Sequence, residues 1–527
     1  MENSIQYMNS RLAALPWEFE IPPAPIPEAQ IKETIRTELV VVGEGLAGLS
    51  TALSAVQSGV DTLIVTASSH PVGRGGSVFA AYSKVMEREG FPRAEVENFF
   101  LEEFAAASFH VDQRKWYKFY NHSEEAMNWL IDILEAGGME VVLEDAVHDD
   151  PASPSHQPAG THTFLTAQQT VPGFGIVQAL GVLEKNYLAA GGKVAYKKRA
   201  LRLERADGGR GRVTAVLAED TDGRFVRYAA SKAVVLATGD FSANREMMAK
   251  YCPQFAKYYT NEQKSYNIGF QSGGLFRGEG HLMALWAGAA WQRTQPNAVM
   301  IQGSLVCSNM PYGTHRGLRL NVRGERYCNE DMNAPYTAQT VLREPEQKAY
   351  AIWGSNYARD IPWYDDSGLR GQPPISPDEV LALWEKHVAH GDYIRCDTVE
   401  EVVERLGLPK ETAMAEIERY NAMCRAGQDE DFHKKAKYMT QLRSGPFYGA
   451  ALDQFYFFTV LGGPRTDHNL RICDENDVPL GGLYCVGSMV GDMFANLYNF
   501  RIAGHNYGAS LTFGYLTGKY IAEHEPG

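Results

Sequence analysis

The sequence predicts an α/β protein in which a discontinuous Rossmann-like domain is interrupted by an inserted α+β capping domain. Two observations predict this architecture. A strand, a glycine-rich turn and a helix follow one another from residue 38, as in a βαβ unit, and strands return after a stretch of loops and capped helices from 291 to 443. We expect four segments: an extended arm over 1–35, the first segment of the Rossmann-like domain over 36–290, the capping domain over 291–440 and the second segment over 441–527.

The βαβ unit has glycines where a dinucleotide requires them. The run Leu39–Val42 is typical of a buried parallel strand, and the motif Gly43-Glu-Gly45-Leu-Ala-Gly48 opens the following helix. The first glycine permits a tight turn, the second lets the backbone approach a pyrophosphate, and the third lets helix and strand pack closely. The helix N-terminus would hold the negative charge of the pyrophosphate.

One element of the usual motif is missing. The acidic residue that normally ends the second strand and binds the adenosine ribose is replaced by Thr66. We therefore expect ribose recognition to be shared with Ser68 and Ser69.

Composition excludes several classes of protein. With 50 Lys and Arg against 64 Asp and Glu, the net charge is −14, which argues against binding to nucleic-acid phosphates. The seven cysteines are scattered singly, which argues against a disulfide framework, a zinc site or an iron–sulfur cluster, so we expect no metal. No export signal and no long apolar run is evident, so we expect a soluble, cytoplasmic protein without membrane contacts.

Shorter patterns place further elements. Strands are predicted at 193–196, 201–203, 213–217, 225–228 and 233–236. One helix should begin at Ser376, followed by Pro377 at its first position, and another at Asp397, with Glu400 three residues later.

Additional motifs occur in a characteristic order. They are Arg74-Gly-Gly-Ser77, Ala237-Thr238-Gly239, Gly278-Glu-Gly280, Gly324-Glu-Arg-Tyr-Cys-Asn-Glu330, Arg419-Tyr-Asn421, Gly445-Pro-Phe-Tyr448, Gly482-Leu-Tyr-Cys-Val-Gly487 and Thr512-Phe-Gly-Tyr-Leu516. With these motifs, the chain from Glu38 onward resembles the FAD-dependent fumarate reductase and 3-ketosteroid dehydrogenase superfamily. The resemblance implies FAD, rather than NAD, as the tightly bound cofactor. Two departures from the family pattern are Asp240 in place of glycine and Ser488 in place of glutamate.

The resemblance also implies which residues hold FAD. The first βαβ unit would bind the ADP half, the Gly75-Gly76-Ser77 turn would face the flavin, and the last glycine-rich loop and helix would approach the flavin ring. The residues expected to bind the cofactor are Gly43, Gly45, Leu46, Ala47, Gly48, Thr66, Arg74, Gly75, Gly76, Ser77, Ala237, Thr238, Gly239, Gly487, Ser488 and Gly504.

Two positions argue against the fumarate reductase branch of this superfamily. Ala334 stands where that branch has a proton-donating arginine, and Thr459 or Phe458 stands where it has a substrate-binding histidine. In the ketosteroid dehydrogenase branch, a tyrosine near this point removes a proton next to the ketone, and here the corresponding candidate is Tyr336. The alternative for Tyr336 is a structural tyrosine in the core.

The C-terminal loop points instead toward an anionic substrate. Arg501 lies where the fumarate reductase branch has an arginine that grips the substrate carboxylate, and an arginine fork suits that group. An internal salt bridge is the alternative role for Arg501. Tyr498, Tyr507 or a backbone N–H near Gly504 could donate to a ketone oxygen.

Together these residues predict α,β-dehydrogenation of a small cyclic ketone that carries a carboxylate, such as 4-oxocyclohexanecarboxylate. Electrons would leave to oxygen or to an external acceptor. The alternatives are an ene-reductase of an unsaturated acid, a 3-ketosteroid dehydrogenase and a non-catalytic flavin-binding protein. His281, His315 and His505 are each isolated from other ligand-type residues, so a structural role is expected for them.

Overall fold

The computed structural model describes residues 17–144, 158–170, 174–255, 275–302, 317–332, 334–360, 376–452, 455–496, 498 and 502–526. Its strands are β1 (Ile31–Val42), β2 (Thr62–Val65), β3 (Val78–Phe79), β4 (Glu140–Leu143), β5 (Thr161–Leu165), β6 (Lys193–Ala195), β7 (Lys198–Arg205), β8 (Val213–Asp220), β9 (Phe225–Leu236), β10 (Asn297–Gln302), β11 (Arg319–Asn321), β12 (Ala349–Gly354), β13 (Ile394–Cys396), β14 (Phe447–Ala451), β15 (Phe455–Leu461), β16 (Arg471–Cys473) and β17 (Pro479–Cys485).

The helices lie between and around these strands. They are α1 (Leu46–Gln57), α2 (Lys84–Arg88), α3 (Glu97–Ala106), α4 (Gln113–Ala136), α5 (Ile176–Ala189), α6 (Arg245–Tyr251), α7 (Glu279–Trp286), α8 (Ala334–Leu342), α9 (Tyr357–Asp360), α10 (Pro377–His390), α11 (Val399–Arg405), α12 (Lys410–Ala426) and α13 (His505–His524). None of the helices in these described ranges is both long and apolar enough to cross a membrane.

The largest sheet has the order β16-β17-β9-β1-β2-β6, and β8 joins β9 to β7. Its central pairings are parallel, with Val41 of β1 opposite Ile64 of β2 and Val235 of β9. Leu39 and Val40 are fully buried, as expected for a strand covered on both faces. The predicted α/β class and its parallel sheet are therefore confirmed, although β1 begins earlier than the apolar run, at Ile31.

The βαβ unit forms as its glycines predict. Strand β1 ends at Val42, Gly45 is the N-cap of α1, and β2 lies parallel to β1. A β-carbon on Gly48 would lie 2.1 Å from the carbonyl oxygen of Gly43, so only glycine lets the helix start this close to the strand. Helix α13 packs on α1, where a β-carbon on Gly514 would lie 2.6 Å from the Ala47 carbonyl oxygen.

The stretch from 291 to 443 contains strands that the sequence analysis missed, namely β10, β11, β12 and β13. Strands β11, β12, β14 and β13 form an antiparallel sheet in that order, and β10 pairs with β15. The reason is that β11 and β13 have three residues each, while β12 is buried along its whole length and shows no alternation of apolar and polar residues. Strand β14, which pairs with β12 and β13, brings residues beyond the predicted boundary at 440 into this antiparallel sheet.

Two helix starts in this stretch follow capping chemistry. Ser376 caps α10 in a capping box with Glu379, as predicted. The predicted start at Asp397 with Glu400 was wrong by one residue, because Thr398 caps α11. Glu401 closes this box by accepting from the Thr398 amide at 3.2 Å.

A buried cluster of charges holds the turn that leads to α8. Arg326 donates to both oxygens of Glu330 at 2.8 and 2.9 Å, and to both oxygens of Asp429 at 2.7 and 2.9 Å. The Lys434 ammonium lies 3.2 Å from Glu330, and all four side chains are nearly inaccessible to solvent. The cluster therefore ties the segment after β11 to the segment after α12.

Candidate FAD and substrate site

Loops that leave the carboxyl ends of β1, β2, β9 and β17 line a cavity of about 480 Å³. These loops comprise 43–47, 66–68, 237–239 and 486–488. The carboxyl edge of a parallel sheet is where open α/β proteins bind ligands, and the volume is in the range of small-molecule sites. The start of α13 also lines the cavity, with Gly504, Asn506 and Tyr507.

The glycine turn after β1 is shaped for close approach of a ligand. Gly43 has φ +108°, and a β-carbon there would lie 2.3 Å from the carbonyl oxygen of Ala237. Gly45 caps α1 without a side chain, so no side chain covers the amides of the first helical turn. These amides and the helix dipole suit a pyrophosphate, and the turn therefore fits the centre of FAD.

Glu44, inside this turn, is buried with only 4% of its surface exposed. Burial, and next the neighbouring carboxyl group of Glu184, raise the pKa of Glu44 to about 8. The side chain is therefore mainly uncharged at neutral pH. A neutral group beside the turn does not repel a pyrophosphate, whereas a carboxylate would.

Polar side chains surround the end of the cavity next to β2. Thr66 and Ser68 line it, and the Ser68 amide donates to the Thr66 hydroxyl at 3.2 Å. Arg199 and Glu279 also line it and form an ion pair of 2.6 Å. These residues give this end of the cavity both hydrogen-bonding groups and an ion pair.

Another part of the cavity wall is built where Ser77 meets the start of α13. A β-carbon on Gly504 would lie 2.7 Å from the carbonyl group of Ser77, so glycine lets the helix begin against the turn. Gly504 is the N-cap of this helix, with φ +73°. The positive end of the helix dipole therefore points at the cavity and favours negative charge there.

Arg74 and Asp240 link three segments around the cavity. Arg74 donates to Asp240 at 2.9 Å, and Thr459 of β15 donates to the same carboxylate oxygen at 2.8 Å. Burial would raise the pKa of Asp240, but the charge and hydrogen bond of Arg74, together with hydrogen bonds from Ser242, outweigh it and hold this pKa below its ordinary range. The Arg74 guanidinium also lies over the ring of Phe276, 4.1 Å from its centre.

The two tyrosines predicted to meet the substrate differ in what their hydroxyl groups can do. The Tyr498 hydroxyl donates to the Ile502 carbonyl at 3.2 Å, so its proton is already used. The Tyr507 hydroxyl accepts from the Arg74 amide at 2.9 Å and keeps its own proton for donation. Burial raises the pKa of Tyr507, which preserves that proton across neutral pH.

The other two predicted catalytic residues are not part of the described cavity wall. Tyr336 is the third residue of α8 and is not among the residues that line the cavity. Arg501 lies outside the described residues, as do Phe500, His315 and the side chain of Phe458. Their catalytic roles stay predictions.

The cofactor-binding prediction overlaps closely with the cavity wall. Of the residues predicted to bind FAD, all except Gly48 line the cavity, and Gly48 instead packs against Gly43. Sequence analysis missed several lining residues: Glu44, Lys198, Arg199, Phe276, Glu279, Asn506 and Ser510. Only Glu44 and Glu279 stood inside recognised motifs, while β7 brings Lys198 and Arg199 to the cavity without a local signal.

Two of the isolated histidines lie in aromatic surroundings. Burial lowers the pKa of His505 to about 3, and its ring packs 4.4 Å from Trp116 and 4.6 Å from Phe119. Burial likewise lowers the pKa of His281 to about 4, and its ring nitrogen lies 3.0 Å from the Gly462 carbonyl oxygen. Both rings are therefore uncharged at neutral pH.

The chain belongs to the FAD binding domain family, whose model matches residues 38–499. The predicted superfamily and the predicted cofactor, FAD, are thus confirmed, and the glycine turn fits that cofactor. Bound FAD supplies a group that accepts or donates hydride. Together with the dehydrogenases and reductases to which the chain is similar, this match shows that the protein is an FAD-dependent oxidoreductase that acts on CH–CH groups.

Similar proteins of known activity and structure fall in the same class. The vinyl phenol reductase of Lactiplantibacillus plantarum is 24% identical over 92% of this chain and 96% of its own length. The 4-oxocyclohexanecarboxylate 2-dehydrogenase of Sinomonas cyclohexanicum is 28% identical over 63% of this chain and 58% of its own. The structure of 3-ketosteroid-Δ4-(5α)-dehydrogenase from Rhodococcus jostii superposes with a TM-score of 0.71 at 21% identity, over 95% of this chain and 99% of that one, and shows the shared fold.

Proposed function

We propose that the protein catalyses FAD-dependent α,β-dehydrogenation of a small cyclic ketone that carries a carboxylate, such as 4-oxocyclohexanecarboxylate. The observation that carries this proposal is the contact between Thr459 and Asp240. Thr459 is at or next to the place of the substrate-binding histidine of fumarate reductases, and its hydroxyl donates to buried Asp240 at 2.8 Å. The Thr459 hydroxyl therefore binds another residue of the protein rather than a substrate carboxylate, which favours a dehydrogenase over a fumarate reductase.

Each chemical step has a candidate residue. Tyr507 supports the ketone oxygen as negative charge develops on it, because its hydroxyl lines the cavity and still has a proton to donate. Tyr498 is a weaker candidate for this role, since its proton goes to the Ile502 carbonyl. Tyr336 removes the proton next to the ketone, and bound FAD would supply the group that accepts the β-hydrogen as hydride. Arg501 holds the carboxylate.

The position of Tyr336 in the first turn of α8 supports its role as a base. A tyrosine ionises near pH 10 in water, so a base at neutral pH needs help. The positive end of a helix dipole favours negative charge on groups in its first turn. The resemblance to a 4-oxocyclohexanecarboxylate dehydrogenase over 63% of the chain also supports the substrate class.

A second candidate function is the reverse reaction, reduction of a carbon–carbon double bond. It is favoured by the vinyl phenol reductase, which this chain matches over 92% of its own length and 96% of the relative's. The fold and the cofactor are the same for both directions, and the reduction potential of the bound flavin decides between them.

The test is an anaerobic titration of the purified flavoprotein, followed by flavin absorbance. For the dehydrogenase, 4-oxocyclohexanecarboxylate should bleach the oxidised flavin and a neutral 3-ketosteroid should not. For the reductase, dithionite-reduced flavin should be reoxidised by a vinyl phenol or an unsaturated acid, with no bleaching by the oxo acid. Bleaching by the steroid alone would instead identify a ketosteroid dehydrogenase.

Two variants assign the roles within the dehydrogenase. Tyr336→Phe should lower the rate of flavin bleaching by at least about a hundredfold, which is the lower end of the usual effect of losing an acid–base group. Arg501→Ala should shift bleaching to higher concentrations of the oxo acid while leaving its limiting rate less affected. Tyr117→Phe and Arg359→Ala, at exposed positions, are the matched controls. Variants that bleach like wild type would remove Tyr336 or Arg501 from the mechanism.

A further inference from the structure

A buried carboxyl group lies directly behind the serine of the flavin-facing turn. Both oxygens of Glu144 lie within hydrogen-bond distance of the Ser77 hydroxyl, at 2.8 and 2.9 Å, and Ser77 lines the cavity. Glu144 follows β4 and is only 6% exposed. The carboxyl group is thus separated from the cofactor cavity by one hydroxyl group, at the end where α13 begins.

No lysine or arginine within the described ranges forms an ion pair with Glu144. Burial raises its pKa to about 7, while the hydroxyl groups of Ser77 and Thr163 act in the opposite direction. A carboxyl group in this state gains or loses its proton near neutral pH. Small changes of charge in the cavity therefore decide its protonation.

The ionisable groups on neighbouring elements are either uncharged or in ion pairs. On β5, His162 is uncharged because burial lowers its pKa to about 4, and its ring lies 2.7 Å from the Ser83 hydroxyl. On α13, the pKa of His505 is lowered by burial to about 3.

The remaining charges near the site form ion pairs. On α2 and α4, which pack against β4, Lys84 pairs with Asp132, and Arg88 with Glu135 at 2.8 Å. On the turn before Ser77, Arg74 pairs with Asp240 at 2.9 Å. Within the described residues, Glu144 is therefore the group beside Ser77 that is poised to titrate near neutral pH. Glu44, whose pKa is raised to about 8, lies in the glycine turn instead and is present in both wild type and the Glu144 variant.

We propose that Glu144 is a positioning residue that reverses the hydrogen-bonding role of Ser77 when the bound flavin is reduced. When Glu144 is ionised, Ser77 gives its proton to the carboxylate, and its oxygen can only accept from the cofactor. When Glu144 is protonated, it can donate to the Ser77 oxygen, and the Ser77 proton can then point into the cavity.

Reduction drives the change through charge. Two electrons delivered by a chemical reductant such as dithionite make the cavity more negative, and Glu144 then takes up one proton from solvent to become a neutral carboxylic acid. This step needs only bound FAD, so it does not depend on the substrate proposed above.

The experiment measures the midpoint potential of bound FAD against pH, from about pH 5 to about pH 9, in wild type and in Glu144→Gln. Proton uptake by the flavin itself is common to both proteins and cancels in the difference between them. We expect this difference to be constant at low pH and to change steadily above about pH 7, where reduction of the wild type takes up an additional proton. Glu103→Gln, a buried carboxyl residue that does not line the cavity, should follow wild type.

Two further variants test the direction of the expected pH shift and the role of the Ser77 hydroxyl. Thr163→Val removes a hydroxyl that stabilises the carboxylate, so the onset of the pH-dependent difference should move to higher pH. Ser77→Ala removes the hydroxyl group that connects Glu144 to the cavity. In wild type, the absorption spectrum of oxidised FAD should change with pH around neutrality, and in this variant it should not. These two variants carry the test if Glu144→Gln fails to hold FAD. A constant difference in potential over the whole range, with FAD bound at wild-type stoichiometry, would overturn the proposal.

Discussion

At Gly43, backbone geometry and the space available forbid a side chain for separate reasons. Its φ of +108° disfavours any other residue, and a β-carbon would lie 2.3 Å from the Ala237 carbonyl oxygen. We predict that Gly43→Ala abolishes stable FAD binding, measured as the ratio of flavin absorbance to protein. Gly59 also has a positive φ, +86°, but open space around it, so Gly59→Ala should keep its FAD. Equal flavin content in the two variants would contradict the steric explanation.

The raised pKa of Glu44 predicts a pH-dependent stability. The folded protein binds this proton more tightly than the unfolded chain, so stability is lost as pH rises from the ordinary pKa of 4.5 to about 8. Glu44→Gln removes the ionisation. In thermal unfolding of the FAD-free protein, the variant should melt above wild type at pH 8 and close to it at pH 4. A constant gap between the two proteins at all pH values would show that Glu44 does not titrate in this range.

The residues of the site differ in how far sequence could locate them. The glycine motif placed Gly43 and Gly45 at the cavity, because a tight turn before a helix needs glycine wherever it occurs. Asp240 could be recognised as a departure from the family pattern, but its partners could not. Arg74 and Thr459 reach it from 166 and 219 residues away along the chain, and only the folded sheet brings them together.

Among the elements, the buried charge cluster of the capping domain makes the sharpest stability prediction. Glu330→Gln would leave Lys434 without its carboxylate partner and Arg326 with only Asp429. We expect a loss of about 3 kcal/mol or more in the free energy of unfolding, measured with urea, as for other broken buried pairs.

A nearby exposed pair provides the control for this change. Arg419 and Asp431 form an ion pair whose arginine is half exposed. Asp431→Asn should cost less than about 1 kcal/mol, the usual range for surface pairs. If both substitutions cost the same, burial does not set the strength of the cluster.

Element boundaries were predictable where local chemistry sets them. Ser376, Pro377 and Glu379 start α10 through capping contacts that depend only on neighbouring residues. Strand β12 has no such local signal, since both its faces are covered and its residues are uniformly apolar. Its identity as a strand depends on β11 and β14, which lie about 30 and 95 positions away along the chain.

For the whole molecule, the cavity predicts how the cofactor stabilises the fold. It is lined by the turn before α1, the loop after β9 and the start of α13, so a ligand that fills it would contact segments that are far apart along the chain. We predict that FAD raises the melting temperature of the FAD-free protein more than FMN does at equal concentration, because FMN lacks the adenosine half that we expect at the glycine turn. At a hundred times its dissociation constant, a ligand adds about 2.7 kcal/mol of stability. Equal shifts with FMN would show that the adenosine half makes no net contribution.

The overall architecture could be predicted from the order of motifs along the chain. The strands of the antiparallel sheet between the two segments of the parallel sheet could not. A parallel sheet with a glycine turn has a narrow set of solutions, so the first βαβ unit and the return to the sheet were predictable. The antiparallel sheet of the capping domain combines short strands from distant segments, which no local pattern specifies.

The late return of the chain to its first sheet has a consequence for biosynthesis. Strand β17 joins β9 only at residues 483–485, and α13 is the last helix described. A ribosome therefore releases β1, α1 and β2 long before the wall formed by 486–488 and 504–510 exists, and the face of α1 that α13 will cover stays open to water and to chaperones. We therefore expect FAD to bind stably only after the last part of the chain has been synthesised. A chain truncated near its end would have the glycine turn but no enclosed site for the flavin.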